Sequence, residues 1–191
     1  YWTAYLKANF PEEYMAALMN AHSGQAEKIT VDVAECARLD IPVLLPDINR
    51  SESEFSIDVN PEGKPSIRFG LSSVKNVGPN AVKPLVENRK MQGPFVSIED
   101  MCRRADIKGL NRRALESLVK VGTLDTFAPR GHILASMEQI LGNAQREAKL
   151  KESGQTTMFD MFGDTVEMGL STINIPDIET TDVDKQTWEN E

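Results

Sequence analysis

The sequence of 191 residues holds only two cysteines, Cys36 and Cys102, and two histidines. Neither cysteine sits in a CxxC or Cys/His spacing, so no zinc site and no disulfide framework is read. Two distant thiols in helix-like surroundings fit buried residues of a reducing cytoplasm, the expected location. His22 and His132 stand alone near a helix end and a helix start, in capping or surface positions. No apolar run approaches the roughly 18 residues that span a bilayer, and no basic-then-apolar leader opens the chain, so no membrane partner is expected. A positive balance is also missing: 21 Lys+Arg against 29 Asp+Glu give a formal charge of −8, which taken whole argues against a polyanionic partner. The acidic pairs Glu12-Glu13 and Glu99-Asp100 fall in first helical turns, where the helix dipole favours them. No catalytic nucleophile, catalytic carboxylate pair or metal site is read, and no cofactor is expected.

What is present is a globular composition, 40% hydrophobic and 26% charged, with its charge strongly segregated. Residues 64–120 carry 12 Lys/Arg and 5 Asp/Glu, a net +7. Residues 1–63 carry 4 against 11, and residues 151–191 carry 2 against 10. A basic island between acidic flanks is an electrostatic footprint for a polyanion.

Inside the island lies Lys75-Asn76-Val77-Gly78-Pro79-Asn80-Ala81-Val82. It reads as a short helix, a tight Val-Gly hairpin and a second helix that starts at once, the form of a helix-hairpin-helix motif. Backbone N–H groups at such a helix start, with the partial positive charge of the dipole, suit a phosphate. Lys75 and Lys83 flank the bend and add charge. Lys120-Val121-Gly122-Thr123-Leu124-Asp125 echoes it about 44 residues on; that second stretch reads equally as a looser hairpin or as a glycine helix cap.

The remaining pattern is mainly α with a small β-hairpin, built around a tandem helix-hairpin-helix-like helical domain. Two helices broken at Pro11 open the chain, with Tyr1, Tyr5 and Leu6, then Tyr14, Met15, Leu18 and Met19, on apolar faces. A third helix is predicted from about Gln25 to Leu39, and a short strand at Val43-Leu44. Alternating residues 55–59 and 66–71 predict a hairpin. A helix over Ala81–Arg89 is bent or restarted at Pro84. Ser97 and Asn111 are predicted N-caps, the second for a helix over Arg112–Val121. One amphipathic helix is predicted over His132–Lys151, after which composition turns polar and acidic. In that last stretch Gln155-x-x-Met158-Phe159 pairs two large apolar side chains with a hydrogen-bonding Gln, a form suited to docking in a pocket, or to folding back on the chain's own helices.

Several segments, in order, resemble the alpha subunit of bacterial replicative DNA polymerase III, the C-family polymerases. They are Tyr1–Pro11, Glu35-Cys36, Leu45–Asn49, Ser51-Glu52, Phe55, Ile67–Leu71, Val74–Gly78, Gly93–Phe95, Asn111–Glu116 and Val121–Asp125. The resemblance covers about residues 1–162. It departs from the common pattern at Asn76, where a first Gly is usual, at Pro84, and at Met158, where Leu is usual. It implies a distal fingers portion at 1–69, a helix-hairpin-helix DNA-binding region at 70–152, and an acidic segment at 153–191 that carries a clamp-binding motif and leads to a further domain. Both chain ends look cut, as in an excised piece. The implied DNA contacts are Lys75, Asn76, Val77, Gly78, Lys83, Arg112, Arg113, Lys120 and Gly122. The implied clamp contacts are Gln155, Met158 and Phe159. The implied partners are primer-template duplex DNA, a sliding clamp and other replicase subunits. The palm carboxylates, with the Mg2+ expected there in the parent enzyme, have no counterpart here, so this stretch alone is expected to be inactive. The alternative is a helical interaction adaptor that binds no nucleic acid. A base-excision glycosylase, suggested by Gly93-Pro94 and Asp100, lacks the aromatic set for a base pocket.

Overall fold

Pro11 and the caps Ser97 and Asn111 fall where the sequence predicts, whereas one helix, Pro79–Gln92, runs through Pro84 without restarting. A computed structural model describes residues 1–105 and 110–152, without the side chains of 147–152, together with Asp184 and Thr187. Helices α1 (Trp2–Asn9) and α2 (Pro11–Ala21) meet at Phe10, and Pro11 takes the first helical position of α2 with Glu12 and Glu13 in its first turn. Helix α3 (Ala26–Arg38) follows. Strands β1 (Val43–Leu44), β2 (Ser56–Val59) and β3 (Pro65–Arg68) form a sheet of order β1-β3-β2. β2 and β3 are the predicted hairpin, with Ile57 opposite Ile67, and β1 adds in parallel with Val43 opposite Ile67. The remaining helices are α4 (Pro79–Gln92), α5 (Ile98–Arg104), α6 (Arg112–Lys120), α7 (Arg130–Ala135) and α8 (Met137–Glu152). The fold is therefore mainly α with one small sheet.

Two hydrophobic clusters organise it. Met15, Met19, Cys36, Ile41, Phe55 and Ile67 pack α2 and α3 against the sheet. Burial and the nearby Asp32 and Glu35 push the Cys36 thiol up to about 11, so it stays protonated and inert. The larger cluster joins α4 to α8 through residues such as Leu85, Phe95, Met101, Leu115, Leu118 and Ile140. The segment Asp47–Ser51 brackets the two. Ser51 Oγ donates to Phe69 O at 2.8 Å beside the sheet, and Ile48 N–H donates to Thr123 O at 3.0 Å in the helical part. Arg89 of α4, buried, donates to Ile48 O at 2.9 Å and Ser51 O at 2.8 Å. Burial lowers its pKa, and Glu52 opposes that shift. Asn49 exchanges two hydrogen bonds with the backbone of Phe95.

Local chemistry explains the caps and one departure. Ser97 Oγ accepts from Asp100 N–H at 3.1 Å, and Asn111 Oδ1 accepts from Ala114 N–H at 2.8 Å, so both predicted N-caps are present. The predicted single helix from His132 divides at Ser136, between α7 and α8. The buried Ser136 hydroxyl donates to His132 O at 3.0 Å, and Ser136 O accepts from Gln139 and Ile140 to start α8. Helix α1 keeps its apolar residues on the surface: Tyr1 is 95% exposed and Trp2 74%. None of its side chains is buried, although Lys7 reaches Glu35 of α3 at 2.7 Å.

Candidate nucleic-acid interface

The first hairpin is built from a short 3-10 turn at Leu71–Ser73, a left-handed residue and a helix start. Asn76 has φ +65°, a conformation that Asn tolerates better than most side chains. Val77 follows with its side chain buried in the helical core, and its N–H donates to Val74 O at 3.1 Å. Val77 therefore pins the bend to the protein, and its amide is already used. Gly78 is the N-cap of α4, with Pro79 at the first helical position. Gly78 O accepts from the Ala81 and Val82 amides, whereas the N–H groups of Gly78 and Asn80 donate to no described residue. A Cβ placed on Gly78 would meet nothing within 4 Å, so this corner is open to solvent. It is the arrangement in which a phosphate oxygen can approach backbone donors closely.

The electrostatics around that corner agree with the geometry. The first turns of α4 and α6 hold no acid, as is also true of α1 and α7, whereas those of α2, α3, α5 and α8 each carry one. Instead α4 has Lys83 one turn in, 73% exposed and only 3.8 Å from Glu87, and α6 opens with Arg112-Arg113. Arg112 and Arg113, in the first turn of α6, oppose the helix dipole by roughly 0.3–1 kcal/mol each. Lys75 is exposed beside the bend. Arg112 is paired with Glu138, and Lys120 lies 3.2 Å from Glu116. Arg113 is exposed and pairs with no described acid.

The second hairpin has a different construction. Gly122 has φ +85°, its N–H donates to Val119 O at 3.0 Å, and Thr123 N–H donates to Leu118 O at 3.1 Å. These two bonds are a Schellman cap on α6. The far side is filled by Arg130, 6% exposed, whose guanidinium holds Asp125 at 2.9–3.0 Å and Lys120 O at 3.0 Å. Of the two readings open for Gly122, the helix cap is the one built, and its amide is not available to a phosphate. Sequence reasoning missed the Arg130–Asp125 pair and the Asp47–Ser51 bracket, since neither has a local signature. It also missed the donation from Asn76 Nδ2 to Ser117 Oγ at 3.1 Å, which joins the first hairpin to α6. Gln155, Met158 and Phe159 lie outside the described residues.

Residues 40–134, spanning the sheet, both hairpins and all of α7 but its last residue, match the family described as helix-hairpin-helix motif. The chain is 42% identical over 167 residues to the DNA polymerase III subunit alpha of Thermus aquaticus, covering 87% of this chain and 13% of that protein. It is 38% identical over 201 residues to that of Mycobacterium tuberculosis, covering 100% of this chain and 16% of the relative. The subunit of Pseudomonas aeruginosa is 34% identical over 179 residues, covering 85% and 15%. The chain thus spans 13–16% of the length of these relatives. The resemblance read from the ordered motifs is borne out.

Proposed function

From a chain akin to DNA polymerase III alpha subunits, with a helix-hairpin-helix segment at residues 40–134, we propose a duplex-holding and clamp-docking portion of a replicative polymerase. In this reading residues 70–152 grip the DNA backbone without regard to sequence. Residues 1–69 belong to the distal fingers, and residues 153–191 carry the clamp contact. The observation that supports the grip most directly is the open start of α4. There the Gly78 and Asn80 amides face solvent, in a turn free of acids, within a segment of net +7.

Each residue then has a physical role. The Gly78 and Asn80 amides take a phosphate oxygen, and Lys75 and Lys83 add long-range attraction. Asn76 and Val77 hold the bend in shape. Arg112, Arg113 and Lys120 extend the positive surface along α6, while Gly122 braces the end of that helix. Because backbone contacts release counterions, log K falls with log salt by about 0.9 per phosphate engaged. Polymerisation belongs to the whole enzyme in this reading, in the cytoplasm and with other replicase subunits, and this chain alone incorporates no nucleotide.

The test is an anisotropy titration of a labelled duplex at low salt, repeated with duplexes of unrelated sequence. Similar affinities that weaken steeply with salt are expected, and the K75E/K83E double variant should bind much more weakly. An unchanged affinity in that variant removes the hairpin as the grip. For the clamp, M158A/F159A should lose binding to a purified ring-shaped clamp. Equal binding by both forms removes the docking assignment.

A further inference from the structure

We infer that Asn76 is a positioning residue, which fastens the first hairpin to α6 so that Gly78 and the Arg113–Lys120 flank meet one DNA backbone together. The inference rests on the duplex-holding reading above. Its starting observation is a backbone conformation that glycine would adopt without penalty, occupied instead by a residue with an amide side chain. Only Asp40 and Asn76 among the described non-glycine residues have positive φ. The gain from Asn at this position is visible: its Nδ2 reaches Ser117 Oγ at 3.1 Å across 41 residues of sequence.

Ser117 lies in the middle of α6, half-buried, with Ala114, Leu115, Leu118 and Val119 facing the core. Helical spacing places Arg113 one turn before it and Lys120 one turn after it on the same side. Those two positions stand about 10 Å apart along the axis. Duplex DNA presents a phosphate about every 3.4 Å of axis on each strand, so the stripe is long enough to reach more than one phosphate of one strand. Without the tether, hairpin and stripe would be aligned only by the apolar core beneath them. With it, the two polar surfaces are joined at the rim where backbone oxygens would run.

The experiment compares the 191-residue chain with N76G, S117A, the double variant and S117T, in duplex titrations across a salt series and in thermal melts. N76G keeps the left-handed turn and removes the side chain. N76G and S117A should each weaken binding about three- to tenfold, the scale of one hydrogen bond. The double variant should be no weaker than either single one. The salt slope should fall by about one to two, with Tm within about 3 °C of the parent. S117T keeps the hydroxyl and should retain the parent affinity. Losses that multiply in the double variant, or a slope unchanged in N76G while the parent binds duplex, overturn the positioning role and leave the grip standing. A parent chain that binds no duplex overturns both.

Discussion

Two glycines, one in each hairpin, should respond to the same substitution in opposite ways. Gly78 has φ −89° and ψ 158°, and nothing lies within 4 Å of a Cβ built on it. Alanine fits there without strain. The weaker N-cap preference of Ala, about 1 kcal/mol at most, is offset by about 0.4–1 kcal/mol from a less flexible unfolded chain. The new methyl group would stand where a phosphate must approach, and losing a hydrogen bond to a charged group costs about 1.5–3 kcal/mol, tenfold or more in affinity. Gly122 is the reverse case. Its φ of +85° costs about 1–2 kcal/mol for a residue with a Cβ. That Cβ would lie 2.3 Å from Arg130 Nη2 and 2.6 Å from Asp125 Oδ2, so the guanidinium must shift off its half-exposed carboxylate, at about 1–3 kcal/mol. Together they give roughly 2–5 kcal/mol, a Tm lowered by about 5 °C or more in a chain of this size. G78A should melt within about 2 °C of the parent and bind duplex at least about tenfold more weakly, whereas G122A should lose stability. Melting curves and anisotropy titrations read both effects. A G78A protein with full affinity, or a G122A protein of parental Tm, would refute the division of labour.

Replacing Arg89 by Met should destabilise the chain by about 2–4 kcal/mol, because Ile48 O and Ser51 O lose a charged donor. Urea titrations should show a lower midpoint, and a change below about 0.5 kcal/mol would count against the bracket. Asp100 is buried, which alone raises its pKa, but Val96 N–H, Arg104 and Arg103 hold it below the ordinary carboxylate value. Its contribution is therefore complete above the unfolded-state pKa of about 3.9 and is lost as pH falls through the lower folded value. D100N should melt below the parent at pH 7, with the gap closing below about pH 4; a gap independent of pH would contradict this. R113A should reduce the salt slope of duplex binding by about one, and R112A by less, since Glu138 already engages Arg112. The opposite order would show that the stripe is misassigned.

Features fixed by near neighbours were legible in the sequence. Pro11 with two acids after it, Ser97 three residues before Asp100, and Asn111 before Arg112 each announce a helix start through bonds within one turn. The Val77-Gly78 bend was legible for the same reason. Features fixed by distant partners were not. Ser136 divides a helix through a hydroxyl that is buried, and burial depends on the whole core. The parallel addition of β1 to β3 joins residues 24 apart, and a two-residue strand carries no periodicity. For Gly122, cap and hairpin share one local signature, and Arg130, eight residues on, decides between them. The apolar spacing of α1 was legible too, but periodicity says only which side is apolar and not what covers it.

The bracket at Asp47–Ser51 has a thermodynamic consequence. One short segment hands its carbonyls to a guanidinium of α4, its Asn side chain to the turn before α5, and an amide to the corner after α6, while its serine reaches back toward the sheet. Opening either hydrophobic cluster would strip partners from buried groups belonging to the other. Partial melting thus carries nearly the penalty of complete melting, and the sheet layer and the helical layer should share a single cooperative transition, with their slowest-exchanging amides protected to a similar degree.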